Sequence, residues 1–198
     1  MMRKLSSIIV FASLILLSLI CGCVSMKSLS PYKGQTIYNR VCLRPFKENV
    51  ISFTNYYHRG VLIPPGTECT IKDISKKSIT FIAKKKEYIL VDWLIAKSEE
   101  NVKLTFDKFF TAKRDEIGLN RVRPDFYDSV ISGTEEIGMT KEEVLLCLGY
   151  PAYLGRQDPT NDDMREFIMS LNEWYYMRSR FKKLLFIFKA GKLSKILD

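Results

Sequence analysis

The hydrophobic period of this chain changes twice, from two residues to about 3.6 and back to two, and this constrains the fold more than any single motif. Residues 35–94 read as all-β. Thr36-Ile37-Tyr38-Asn39-Arg40-Val41-Cys42-Leu43 alternates polar and apolar, and Val61-Leu62-Ile63-Pro64-Pro65-Gly66-Thr67 places a turn between two strands. Strands are expected at residues 69–74, 78–83 and 88–91, separated by Ser75-Lys76-Lys77 and Lys84-Lys85-Lys86-Glu87. Short strands at this spacing predict a small barrel or sandwich. Lysines at the turns oppose edge-to-edge pairing.

From about residue 96 the period lengthens. Phe106, Phe109 and Phe110 fall at helical spacing within residues 102–114. Asp125 is expected to cap a helix that ends at Gly133. Thr140 with Glu143 three residues on is a capping box; Val144, Leu145 and Leu148 form the apolar face, and Gly149 with Pro151 stops the helix. Residues 160–171 place Met164, Phe167, Ile168 and Leu171 on one stripe, as a third helix or an ordered loop. The end is β again. One strand covers residues 174–177 and another 184–189, and Ala190-Gly191 then turns into 192–196, with Gly191 suited to the positive φ of a tight hairpin.

The chain begins with Arg3 and Lys4, followed by an uncharged apolar run over residues 5–20 and then Ile20-Cys21-Gly22-Cys23. This is the order of a signal peptide, and a cysteine after a small residue resembles the bacterial lipoprotein signal, in which that thiol takes a diacylglycerol. Cys23 is the expected lipid attachment site. An uncleaved membrane span, which takes about 20 apolar residues, and simple secretion are the competing readings. Val24 and Ser25 after the cysteine, with no Asp, agree with sorting to the outer membrane.

A hydrophobic content of 46% with 12% aromatics suffices for packed cores, and the formal charge is +9. In an envelope protein the expected anionic partners are phospholipid headgroups, lipopolysaccharide or cell-wall polymer, and nucleic acid is not expected. After the signal, Cys42, Cys69 and Cys147 remain, an odd count that argues against a disulfide framework; a Cys42–Cys69 bridge is the pairing considered. His58, the one histidine, has no recognisable nucleophile beside it. The cysteines lack metal-ligand spacing, and the glycines form no phosphate loop. The adjacent pairs Glu135-Glu136 and Asp162-Asp163 read as helix-start charges. No catalytic residue, metal or cofactor is expected.

Gly138-Met139-Thr140-Lys141-Glu142-Glu143-Val144 followed by Leu148-Gly149-Tyr150-Pro151, then Trp174 and Tyr176 and the Gly191 hairpin, resembles the SmpA/OmlA (BamE-like) envelope lipoprotein family over roughly residues 125–197. The resemblance implies two helices on a three-stranded antiparallel sheet, and an accessory role in outer-membrane assembly through protein–protein contacts. The chain departs from short family members by about a hundred preceding β-rich residues and a long 155–173 connection. The expected organisation is α+β: a signal peptide (1–22), a lipidated tether (23–34), a β-rich domain (35–95) whose strand–Pro65-Gly66-Thr67–strand arrangement resembles SH3-like barrels, a helical linker (96–124) and an ααβββ module (125–198). The motif residues act mainly on structure. The surface most suited to a partner is basic, with Arg178, Arg180, Lys182 and Lys183 leading a run that continues through Lys189, Lys192 and Lys195 beside Tyr175, Tyr176 and Phe181. The function expected is non-catalytic: assembly or integrity of the outer membrane, with a module for anionic lipid or cell wall, or an inhibitor of an envelope enzyme, as alternatives.

Overall fold

Alternation in the first half folds into a six-stranded sheet built from β1 (Thr36–Asn39), β2 (Val50–Ser52), β3 (Glu68–Ile74), β4 (Ser78–Ala83), β5 (Lys86–Val91) and β6 (Phe110–Thr111), in the order β2-β5-β4-β3-β1-β6. The computed structural model describes residues 30–52, 60–75, 77–91, 99–152, 163–179 and 181–198. The expectations for Cys23, the tether before Ser30, His58, Lys76 and Arg180 fall outside these residues. The pairings are antiparallel except β2 with β5. Every second residue turns inward: Cys69 and Ile71, then Ile79, Phe81 and Ala83, then Tyr88 and Leu90. The tight β4–β5 turn holds Lys84 at φ 49 and Lys85 at φ 64, the conformation that hairpins usually give to Asn or Gly.

α1 (Glu99–Phe109) covers this sheet with Val102, Phe106 and Phe109. The spacing of the phenylalanines predicted helix to residue 114, but the helix stops at Phe109. Phe110 and Thr111 pair instead with Asn39 and Tyr38 of β1 and form the sheet's edge. The Phe110 ring meets Phe81 edge-on at 5.1 Å, and Phe106 packs on Tyr32 at 4.5 Å. Residues 99–111 are therefore built into the first sheet and its cover.

α2 (Pro124–Ser132) begins two residues earlier than expected. Arg123 is the N-cap and Pro124 holds the first helical position, where its fixed φ fits and no N–H is missed. Asp125 sits in the first turn, where its charge complements the helix dipole. Glu135 and Glu136 lie in the connection that follows, not at a helix start. α3 (Lys141–Leu148) carries the capping box: Thr140 Oγ1 accepts from the Glu143 amide at 3.3 Å, and Glu143 Oε2 accepts from the Thr140 amide at 2.8 Å. Every residue from Glu143 to Leu148 is buried, so α3 beyond its first two residues, where Glu142 is exposed, is enclosed and not amphipathic. α4 (Asp163–Ser170) puts Ile168 in the core with Phe167 and Leu171 against it. The second sheet, β7 (Glu173–Met177), β8 (Lys183–Lys189) and β9 (Lys192–Leu197), is an antiparallel meander. The protein is thus α+β, with a six-stranded sheet, a three-stranded sheet and four α-helices among the described residues.

A continuous apolar cluster runs from Phe81 and Phe106 through Leu145 and Cys147 to Trp174 and Phe188. Where the two halves meet, backbone groups are shared. The Cys42 N–H donates to the Leu146 carbonyl at 2.9 Å, satisfying a last-turn oxygen that α3 leaves without an intrahelical donor. Arg44 donates to the Gly133 carbonyl at 3.2 Å, placing a cation at the C-terminus of α2. Gly133 itself has φ 66, and a Cβ there would come within 2.7 Å of the Arg44 guanidinium and 3.0 Å of Leu62. Gly191 also has positive φ, but nothing lies within 4 Å of its Cβ position. Gly133→Ala is expected to lower the unfolding free energy by about 1–3 kcal/mol, and Gly191→Ala by less, because only the backbone strain applies there. Urea titration of both variants checks the order.

Candidate docking surface

The second sheet has one covered and one open face. Inward lie Trp174, Tyr176, Leu184, Phe186, Phe188 and Leu193, each 5% exposed or less. Two of these carry polar groups that find backbone partners: Trp174 Nε1 donates to the Ile168 carbonyl at 2.9 Å and the Tyr176 hydroxyl to the Gly149 carbonyl at 2.9 Å. Tyr176, expected beside the basic run, therefore belongs to the core.

On the open face, cross-strand register aligns Tyr175 with Leu185 and Leu185 with Leu197. Met177 stands opposite Lys183, and Ile187 between Glu173 and Lys195. Tyr175, Met177, Leu185 and Ile187 are half-buried and Leu197 is exposed. The result is an apolar row across three strands, framed by Lys183, Lys189, Lys192 and Lys195, all exposed. At one end the β7–β8 hairpin closes with the Arg178 amide donating to the Lys182 carbonyl at 2.9 Å. The Ser179 hydroxyl accepts from the amides of Phe181 and Lys182. This turn projects Phe181, 86% exposed, with Lys182 beside it. Arg178 pairs with Asp198 at 2.9 Å, an exposed contact that contributes little to stability.

Among the predicted surface residues, the structure brings Lys182 and Lys183 to the hairpin and turns Arg178 toward the side-chain carboxylate of Asp198. The apolar row was missed. Its signal was present in Leu184-Leu185-Phe186-Ile187-Phe188, where both phases of the alternation are apolar, as in a strand covered on both faces. Two lysines at the β4–β5 turn make local contacts: Lys84 Nζ reaches the Leu62 carbonyl at 3.4 Å, and Lys86 Nζ the Glu48 carbonyl at 3.5 Å.

The motif residues support this sheet from behind. Gly138, at φ 97, donates to the Leu193 carbonyl at 2.8 Å, and Leu193 donates back to Met139 at 2.7 Å. Met139, Val144 and Leu148 are buried. Gly149 ends α3 at φ 79, and just beyond Pro151 the Ala152 amide donates to the Tyr175 carbonyl at 2.7 Å. Arg123, which no local pattern singles out, completes the capping box. Its amide and Nε both donate to Glu143 Oε1, at 3.0 and 2.9 Å, and its Nη2 bridges Glu143 Oε2 and the Gly138 carbonyl. Burial pushes the Glu143 carboxyl up. The Arg123 side chain and the Thr140 and Arg123 amides outweigh it and hold the group at about 2. Among the described residues, no three His, Cys, Asp or Glu side chains gather as metal ligands, and no helix is long and apolar enough to cross a membrane.

Compared with known proteins, the chain matches no family model, no curated protein and no solved structure.

Because the Glu143 carboxyl is held below its unfolded value, its stabilisation is complete above about pH 4.5 and is lost as the pH falls toward 2. Glu143→Gln should cost about 3 kcal/mol at neutral pH, and the gap to the parent chain should close between about pH 5 and 2. Denaturant titrations across that range measure it.

Proposed function

We propose that this protein is a non-catalytic, lipid-anchored component of the bacterial cell envelope. It is held at the outer membrane through Cys23 and acts as an assembly or integrity accessory by protein–protein contact. The observation that carries the contact is the open face of the second sheet. An apolar row of Tyr175, Leu185 and Leu197 inside a cationic frame is an arrangement suited to an acidic, partly apolar partner surface. The order of α2, α3 and a three-stranded meander, with α4 inserted before the meander, supports the SmpA/OmlA (BamE-like) reading of residues 125–198, and the β3–β4–β5 meander supports an SH3-like reading of the first sheet. The capping box and the buried Trp174 and Tyr176 then specify fold, leaving the outward residues to select a partner.

The exposed Phe181 between cations favours a second reading, contact with anionic envelope lipid or cell-wall polymer. The two predict different behaviour. A photoreactive residue at position 185 of the full chain is expected to yield a discrete envelope-protein adduct in intact cells. Changing Arg180, Lys182 and Lys183 together to Glu is expected to leave that adduct in place while weakening any binding to anionic vesicles. No adduct, with vesicle binding retained, would move the function to lipid. The mass of the mature N-terminal peptide checks the anchor: Cys23 should carry diacylglycerol and residues 1–22 should be absent. An unmodified Cys23 or a retained Met1 contradicts it.

A further inference from the structure

Where the two halves of the molecule meet, two cysteines distant in sequence stand side by side. The Cys42 amide donates to the carbonyl of Leu146, the residue directly before Cys147, at 2.9 Å. With standard backbone dimensions, that bond keeps the α-carbons of Cys42 and Cys147 within about 7 Å, the separation beyond which a disulfide cannot close without backbone movement. The thiols also converge. Cys42 Sγ donates to the Val130 carbonyl at 3.5 Å and Cys147 Sγ to the adjacent Ser129 carbonyl at 3.7 Å, so both point at the same turn of α2. Cys69 lies elsewhere: it sits opposite Ile37 in the β1–β3 register, and its thiol reaches back to the Thr67 carbonyl at 3.5 Å. The pairing considered from sequence, Cys42 with Cys69, gives way to one that the topology favours.

We propose that Cys42 and Cys147 are a disulfide site that covalently clamps the segment leaving β1 to α3. Two S–H bonds break and one S–S bond forms. Two electrons and two protons pass to a disulfide oxidant, either a small-molecule disulfide or an oxidoreductase, which leaves as two thiols. The export expected from the N-terminus supplies an oxidising compartment. Burial raises both thiols well above their ordinary value, and the neighbouring Cys42 sulfur adds to the rise at Cys147. In the closed protein both are therefore protonated and shielded, so the bond forms as the halves come together or during local opening. Cys42 and Cys147 enclose a long stretch of chain, and closing it off in the unfolded state raises stability.

The test uses the full chain in detergent, refolded in a buffer of oxidised and reduced glutathione, alkylated under denaturing conditions and digested without reductant. The expected product is a linked peptide pair containing Cys42 and Cys147, two hydrogens lighter than the separate peptides, with Cys69 alkylated. A reductant should lower the denaturation midpoint of the parent chain and leave that of Cys147→Ala unchanged. Alkylation at both Cys42 and Cys147 after refolding, or a link that includes Cys69, overturns the proposal. This arm is independent of where the protein resides. Lipid on Cys23 is read from a different peptide, so failure of the envelope reading and failure of the disulfide are distinguishable.

Discussion

The structure depends on how two helix C-termini are satisfied. Carbonyls in the last turn of a helix have no donor within it, and burying them unpaired is costly. α2 and α3 both end against the segment that leaves β1. Cys42 supplies an N–H to Leu146 of α3, and Arg44 a guanidinium to Gly133 at the end of α2. The first half of the chain therefore caps the second. The rings around this point extend the contact: Phe109 meets Tyr150 edge-on at 6.1 Å, and the Lys108 ammonium stands 4.5 Å from the Tyr150 ring centroid.

With α3 enclosed, the second sheet has a rigid back. Leu193 accepts from the Gly138 amide and donates to the Met139 carbonyl, and Arg123 with Glu143 fixes the start of α3 against α2. The covered face has no spare polar group to offer a ligand: its indole and hydroxyl are both spent on backbone carbonyls. What the sheet presents outward is an apolar row, a cationic frame and a projecting phenylalanine. A surface of that kind is a binding element held by a scaffold, which is the physical basis of the proposed accessory role.

Much of this was legible because it is local. The capping box at Thr140 and Glu143, the left-handed stops at Gly133 and Gly191, and the alternation of β3 to β5 follow from residue type and spacing alone. The misreadings come from tertiary competition. Phe110 fits the helical period of α1, but an open edge of β1 claims its backbone. Tyr176 sits amid basic residues, yet its strand phase sends it to the core. Arg123 is remote in sequence from Glu143, and no local pattern announces a partner that arrives through a turn. The open face escaped notice because Leu185 and Ile187 look like core residues until the topology leaves one side of the sheet bare.

The central claim is that the two sheets form one cooperative body joined through the ends of α2 and α3. Native-state hydrogen exchange in low denaturant tests it most directly, by comparing the opening free energies of the Cys42 amide at the junction, the Ile71 amide in the first sheet and the Leu193 amide in the second. All three should converge on the same global value as denaturant rises. An amide at Cys42 that exchanges through a low-energy opening while Ile71 and Leu193 keep separate, higher values would show two independent domains and contradict it.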